Sequence, residues 1–408
     1  MVLTALALSV LLLMTGLGVD VGYLRYQKQQ MQKAADAGAL GGAAALGYGG
    51  DWNAAAVNDV NANGFTITKT NGLTITVNNP PTSGPFAGIP GADNYVEVIV
   101  AQNQPTFFLK VTGRDSVPVR ARAVAGLIPR EGCIYVLDPS PSDSNDLVVS
   151  GSGQIRSNCG VYVDSPSTAG FVVSGGSCIS ADSINIVASG YSASRGKCPN
   201  GGISPYPPKK IKSFKNPLAW LQPPTPISCI TQGQHQTVFY PTAYCGGIKI
   251  NGGTATFNPG TYILAGGGLT IQGGATVTGT GVTFFNTGTA PYNDYRGFNI
   301  SSGNSVVRLS APIQGATAGI PGILFFEDPN IPWLNVGKSQ ISQVTGGANT
   351  ALTGAFYLPT TKLTYSGGSS EVNYTQIVAY QLEVSGPSTI DTSLVHGGSP
   401  IHNPALVE

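Results

Sequence analysis

From residue 133 onward one phrase recurs along the chain and limits what it can become. LVVSGSGQIRSN, FVVSGGSCISADSINIV, IKINGGTATFNPGTYIL, LTIQGGATVTGTGVTFF, LTYSGGSSEVNYTQIV and LEVSGPSTIDTSLV each set aliphatic residues two apart, turn at Gly or Ser, and begin a second β run. Apolar residues two apart share one face of a strand. Gly252 and Gly273 stand 21 residues apart, Gly346 and Gly367 another 21, and Gly151 and Gly175 24. Such a period suits stacked units, each of which buries its apolar face only against its neighbours. It predicts a mainly-β body over 131–408, wound as a right-handed parallel β-helix from about 133 to 400. A β-sandwich, whose turns also recur, is the alternative. Eight prolines fall in 199–228, PNGGISPYPPKKIKSFKNPLAWLQPPTPIS. Proline cannot donate to a sheet ladder, so this excursion is expected to lie extended along the outside.

All six cysteines, Cys133, Cys159, Cys178, Cys198, Cys229 and Cys245, fall within this body, with no CxxC or Cys/His metal spacing. An even set of this kind points to disulfides formed outside the cytoplasm. Six cysteines allow 15 pairings. The sequential scheme, 133 with 159, 178 with 198 and 229 with 245, closes the shortest loops, and buried free thiols are the other reading.

The first nineteen residues carry no formal side-chain charge. As a helix they rise about 28 Å, close to the hydrocarbon thickness of a bilayer. No basic stretch precedes them, so a secretory signal peptide fits poorly. Asp20, Arg25, Lys28 and Lys33 then arrive while helix-forming residues continue without proline, which predicts one helix over 1–48. Asp20 is expected to mark the end of the apolar core, because an unpaired buried carboxylate costs several kcal/mol. Ala34, Gly38 and Gly42 fall at i, i+4 and i+8 and form a small-residue stripe that lets another backbone approach. That backbone is either a second copy of the helix or the chain's own globular part. The basic residues follow the apolar run, which by itself would hold the body in the cytoplasm; a basic leader removed from before Met1 reconciles this with the cysteines.

The run VDVGYLRYQKQQMQKAADAGALGGAAAL, entered from the apolar segment, resembles the N-terminal region of the TadE/TadG-like proteins of the Tad (tight adherence) Flp-pilus system. The resemblance covers residues 1 to about 48. It implies a single N-terminal transmembrane helix, a basic cytoplasmic leader and an exported body. For pilin-like relatives cut before the apolar stretch, it implies a helix that enters a filament core. Position 5 is Ala5, where the usual pilin pattern has a glutamate.

Residues 49–130 predict a small α+β head. NAAAVNDVNANGF supports a short helix ended by Asn63-Gly64, and FTITKTNGLTITVNN reads as a hairpin about Asn71-Gly72. YVEVIVAQ, PTFFLKV and VPVRARAVAGL complete about five strands.

Chemistry-bearing residues are sparse. A net charge of +1, with only 10% charged residues, gives no basic field for nucleic acid. Glu327 and Asp328 in ILFFEDPN are adjacent, so on a strand they would point to opposite faces; a turn at Asp-Pro-Asn explains them. Asp138, Asp143, Asn145 and Asp146 could surround Ca²⁺, but they lack the Gly and distal Glu of a loop motif, and turn capping is expected. His396 and His402 make at most a weak metal pair. No nucleophile elbow, phosphate loop or dinucleotide fingerprint occurs. The expectation is therefore no catalytic, cofactor or metal site. Three functions stay open: a pilin-like subunit that packs against copies of itself, with the β-helix exposed for adhesion; a monomeric membrane-anchored pilus-assembly component; and a carbohydrate-active β-helix enzyme. The first two place the protein at the cell surface or inner membrane with its body outside the cytoplasm, next to pilus components or a surface glycan. Asn299, in Asn-Ile-Ser, is a possible glycan acceptor.

Overall fold

A computed structural model describes residues 2–47, 50–129, 132–193, 202–225, 228–289, 292–301, 304–313, 316–332, 340–345, 349–367, 374–392 and 400–408, with side chains from residue 14 on. The chain forms two units, Met1–Ile128 with His402–Glu408, and Pro129–Ile401.

In the first unit, α1 runs unbroken over Val2–Gly47. Its later half buries Met31, Ala34, Ala35, Ala39 and Ala43 against Ala56 and Val60 of α2 (Trp52–Ala62) and against a sheet. The N–H groups of Asn53 and Ala54 donate to Asp51, the N-cap of α2, at 3.0 Å each, satisfying two of the donors a helix start leaves open. The sheet orders β1 (Thr74–Asn78), β2 (Tyr95–Pro105), β3 (Ser116–Pro129) and then the C-terminal strand His402–Leu406. β2 is antiparallel to both neighbours, with Val98 facing Val77 and Ala123. Its Val96, Val98 and Val100, two apart, are buried toward the helices.

Two expected strands are absent. In FTITKTNGLTITVNN only Thr74–Asn78 is a strand. The Asn71 side chain accepts from the N–H groups of Thr68 and Leu73 and donates to the Thr66 carbonyl, a local closure that competes with a ladder. PTFFLKV is likewise no strand but a loop carrying the 3₁₀ turn Leu109–Thr112.

The second unit is built of short parallel strands. Ile248–Asn251, Thr254–Phe257 and Gly260–Ala265 pair with Leu269–Gln272, Thr276–Thr280 and Val282–Thr287, matching Ile248 with Leu269, Thr254 with Thr276 and Gly260 with Val282. Gly252 and Gly273 take the left-handed turn between strands, at φ 77° and 70°, a conformation that glycine adopts without steric cost. Insertions then stretch the spacing, so that Thr276 meets Val306 and Phe284 meets Phe325. Phe239, Phe257, Phe284, Phe325 and Phe356 meet from one strand set to the next, alternately stacked and edge-on, with centroids 4.8, 5.0, 5.5 and 4.9 Å apart. Aromatic pairs at such spacings add to the burial energy of the core they form.

The order in space is not the order in sequence. Tyr374–Val384 pairs in parallel with Gly132–Val136 and Leu147–Val149, and Thr389–Thr392 pairs with Gln154–Ser157. The last strand set thus lies against the first. From that seam the stack continues through Phe171–Val173 and Cys178–Ser180 to Lys209–Lys210. The proline-rich segment then leads to Cys229–Ile230 at the opposite end. On the way it covers the outer face of the strands. Leu218 and Leu221 are buried with Ile263, Phe285, Phe326 and Tyr357. Phe214 meets Tyr135 and Tyr162 edge-on, each at 5.9 Å, and Asn216 donates to the Tyr357 hydroxyl at 2.9 Å. Proline suits this strap, which runs without a continuous ladder.

Candidate functional site

The site with the most specific local geometry is where α1 leaves the head. Asp20 comes from the helix, and its partner is the loop between β2 and β3. Phe107 N–H donates to Oδ1 of Asp20 at 2.9 Å, while Phe108 and Leu109 N–H donate to Oδ2 at 2.9 and 2.6 Å. These donors lie at the start of the 3₁₀ turn, where a helix has no internal acceptors for them. The carboxylate is 0% exposed. Burial alone would raise its pKa, but the three N–H groups outweigh that effect and the pKa is lowered. Tyr23 meets Phe107 edge-on at 5.4 Å and donates to Gln104 at 3.3 Å. A Cβ on Gly16 would come within 2.6 Å of the Phe108 ring. The loop is thus held to the helix from Gly16 to Tyr23.

Asp20 sits at the end of the uncharged run, buried and fully bonded, because the loop supplies the donors that an isolated helix lacks. Of the two partners open to the stripe Ala34, Gly38, Gly42, the chain's own globular part is the one in place. A Cβ on Gly38 would lie 2.6 Å from Val60 and 3.0 Å from the Ala56 carbonyl, and one on Gly42 would lie 2.9 Å from Val96 and 3.2 Å from the Trp52 carbonyl. The chain's own head occupies that face.

A second carboxylate of this unit was not anticipated. Glu97 on β2 is 0% exposed, yet it accepts from Arg122 Nε at 2.5 Å, Asn78 at 2.7 Å and the Thr82 hydroxyl at 2.7 Å. Burial opposes ionisation, and these donors still bring its pKa down to about 2. Arg122 also pairs with Glu408 at 2.6 Å, and Val124 N–H donates to the Glu408 carbonyl at 2.7 Å, which ties down the returning C-terminus.

In the second unit the carboxylates have fewer donors. Glu327 ends the strand Ile323–Glu327 and is not a turn residue. It is fully buried, accepting from the Tyr295 hydroxyl at 2.6 Å and from Thr360 N–H and Oγ1 at 3.2 Å each. Burial pushes its pKa up to about 7. Asp328 does cap the turn, accepting from Asn330 N–H at 2.9 Å and from Thr287 Oγ1 at 2.7 Å. Asp138 and Asp146, both buried, share the Gln381 amide, which donates to them at 2.8 and 3.1 Å. Asp138 also accepts from Ser140 N–H at 2.9 Å. Burial first, and then the Asp138 charge, raise the Asp146 pKa to about 7. Among the described residues no group of three or more His, Cys, Asp or Glu could hold a metal ion. His402 lies on the C-terminal strand and His396 falls outside the described residues. Asn299 lies half-buried on a short strand between Thr270 and Gln343.

Disulfides join Cys133 to Cys159 and Cys229 to Cys245, with Cα atoms 5.6 and 5.2 Å apart. They are the first and third pairs of the sequential scheme. Cys178 is also disulfide-bonded, and Cys198 lies outside the described residues. Each bridge links neighbouring strand sets and closes a loop worth about 3 kcal/mol.

No helix among the described residues is long and apolar enough to cross a membrane; residues 1–13, which hold most of the uncharged run, lie outside those with described side chains. No curated protein and no solved structure matches the chain. Residues 1–45 match the family model described as putative Flp pilus-assembly TadE/G-like. A match of this kind supports a surface or pilus-related role in a Tad system, at the cell surface or envelope. The helix that leaves the head at Asp20 thus lies within the stretch that is similar to TadE/G-like Flp pilus-assembly proteins.

Proposed function

We propose that the protein is a membrane-anchored component of a Tad pilus system, with residues 2–19 of α1 in the bilayer and the head and β body outside the cytoplasm. The observation that carries this reading is the division of labour along α1. Its later half is the core of the head, while the earlier residues are uncharged and emerge at the Asp20 clamp. The parallel ladders and their recurrent spacing support a right-handed β-helix body. That body presents a surface to other pilus components or to a surface glycan. The reading assigns no catalysis: Glu327, Asp138 and Asp146 are buried and engaged with Tyr295, Thr360 and Gln381.

A second reading, a pilin-like subunit whose emerging helix packs among copies in a filament, is favoured by the TadE/G-like match and the length of α1. Fractionation of cells separates the two. The anchored reading expects the full chain in carbonate-resistant membranes, with the body open to external protease. Recovery mainly in the sheared filament fraction would replace it with the second reading.

A further inference from the structure

We propose that the loop between β2 and β3 is a lipid-seated collar, its apolar tip resting in the head-group layer of the bilayer around the point where α1 enters. This rests on the anchored reading and deepens it by naming a second membrane contact. Phe107, Phe108 and Val111 are 57%, 47% and 80% exposed. Three large apolar side chains held out on one short loop carry a solvation cost that only a covering phase removes. Their placement is not free, because the Asp20 carboxylate binds three successive N–H groups of that loop and Tyr23 packs on Phe107. The collar therefore keeps a set height on the helix.

That height identifies the occupant. Below the clamp the exposed helix surface is itself apolar, at Met14, Leu17 and Val19, and it leads without a charge to residue 2. Residues 2–19 rise about 27 Å, so a helix that spans the hydrocarbon layer brings Asp20 and the loop to one interface. Aromatic rings concentrate at that level in membrane proteins. The exposed apolar loop is thus continuous with the segment assigned to the bilayer, and a phospholipid surface covers both.

The test uses the full chain with its disulfides intact, carrying Val111→Cys labelled with the environment-sensitive fluorophore NBD, reconstituted in phosphatidylcholine/phosphatidylglycerol vesicles. Ile67→Cys, at another exposed apolar position of the head, is the control. The label at 111 should shift to the blue in vesicles, and head-group-proximal doxyl lipid should roughly halve its emission, as expected for an interfacial site. The label at 67 should respond to neither. Protein that floats with the vesicles while the 111 label stays unquenched overturns the collar and leaves the anchor standing. A blue shift without lipid quenching means that a second copy covers the loop, which also overturns it. Failure to float at all removes the anchored reading and the collar with it.

Discussion

The two units bury carboxylates on opposite terms. Glu97 in the head is surrounded by Arg122, Asn78 and Thr82 and stays ionised, with a pKa of about 2. Glu327 in the body is equally unexposed but lies deeper, has neutral donors only, and has a pKa of about 7. Each accepts a backbone N–H, from Thr82 and from Thr360; what differs is depth, Glu327 lying further inside the protein, and the Arg122 cation that only Glu97 has. In the head the strands end in loops whose side chains fold back onto the carboxylates. In the body no cation reaches Glu327, so this interior acid relies on hydroxyls and one backbone N–H, all neutral.

The difference can be broken most strongly at Arg122. Arg122→Ala leaves Glu97 buried without its cation, and the head should lose about 3–5 kcal/mol while the body is unaffected. Hydrogen exchange of the two units during denaturant titration reads this out. Next in size, Gly38→Leu drives a side chain into Val60 and the Ala56 carbonyl and should cost the head about 3 kcal/mol or more. Loss of head protection, with the body still protected, is the expected result; an unperturbed head would show that another surface lies on that face. On the body's side, Cys229→Ser with Cys245→Ser should lower its stability by about 3 kcal/mol and leave the head's midpoint in place.

The dependence on pH is the most diagnostic. Glu97 has a pKa below its ordinary value of 4.5, so its stabilising contribution is present above that pH and is lost as pH falls toward 2. Glu327 has a pKa raised above the same ordinary value, so its contribution is full below about 4.5 and is lost as pH rises toward 7. Each proton carries a slope of about 1.4 kcal/mol per pH unit within its window. Acid should therefore loosen the head and neutral pH the body. Glu327→Gln should reduce the body's dependence between pH 5 and 7, leaving the part due to Asp146, as a pH series of thermal midpoints would record.

Much of this arrangement is legible in local sequence. The 21-residue spacing of Gly252 and Gly273 reappears as the pairing of Ile248 with Leu269, because a repeat period is also the register of a parallel ladder. The long helix follows from an unbroken run of helix formers. What local pattern does not carry is long-range partnership. Nothing in LEVSGPSTIDTSLV indicates that it lies against LVVSGSGQIRSN more than 230 residues earlier, since all the repeats present the same faces. The return of His402–Leu406 to the head sheet is equally hidden. PTFFLKV has the composition of a strand, and only the Asp20 carboxylate, 87 residues before Phe107, makes it a clamped loop. One signal was available: a single acid at the end of nineteen uncharged residues needs donors from somewhere.

In the anchored reading one helix serves two phases, its later half in the head and residues 2–19 in lipid. Hydrogen exchange of the full chain, in vesicles and after transfer to a mild detergent-free amphipol, tests it most directly. Residues 31–43 should be protected equally in both. Residues 2–19 should be most protected in vesicles, to an extent that does not depend on protein concentration. Strong protection of 2–19 that persists outside lipid and rises with protein concentration would mean that the segment is buried among copies of itself, and would contradict the anchored account.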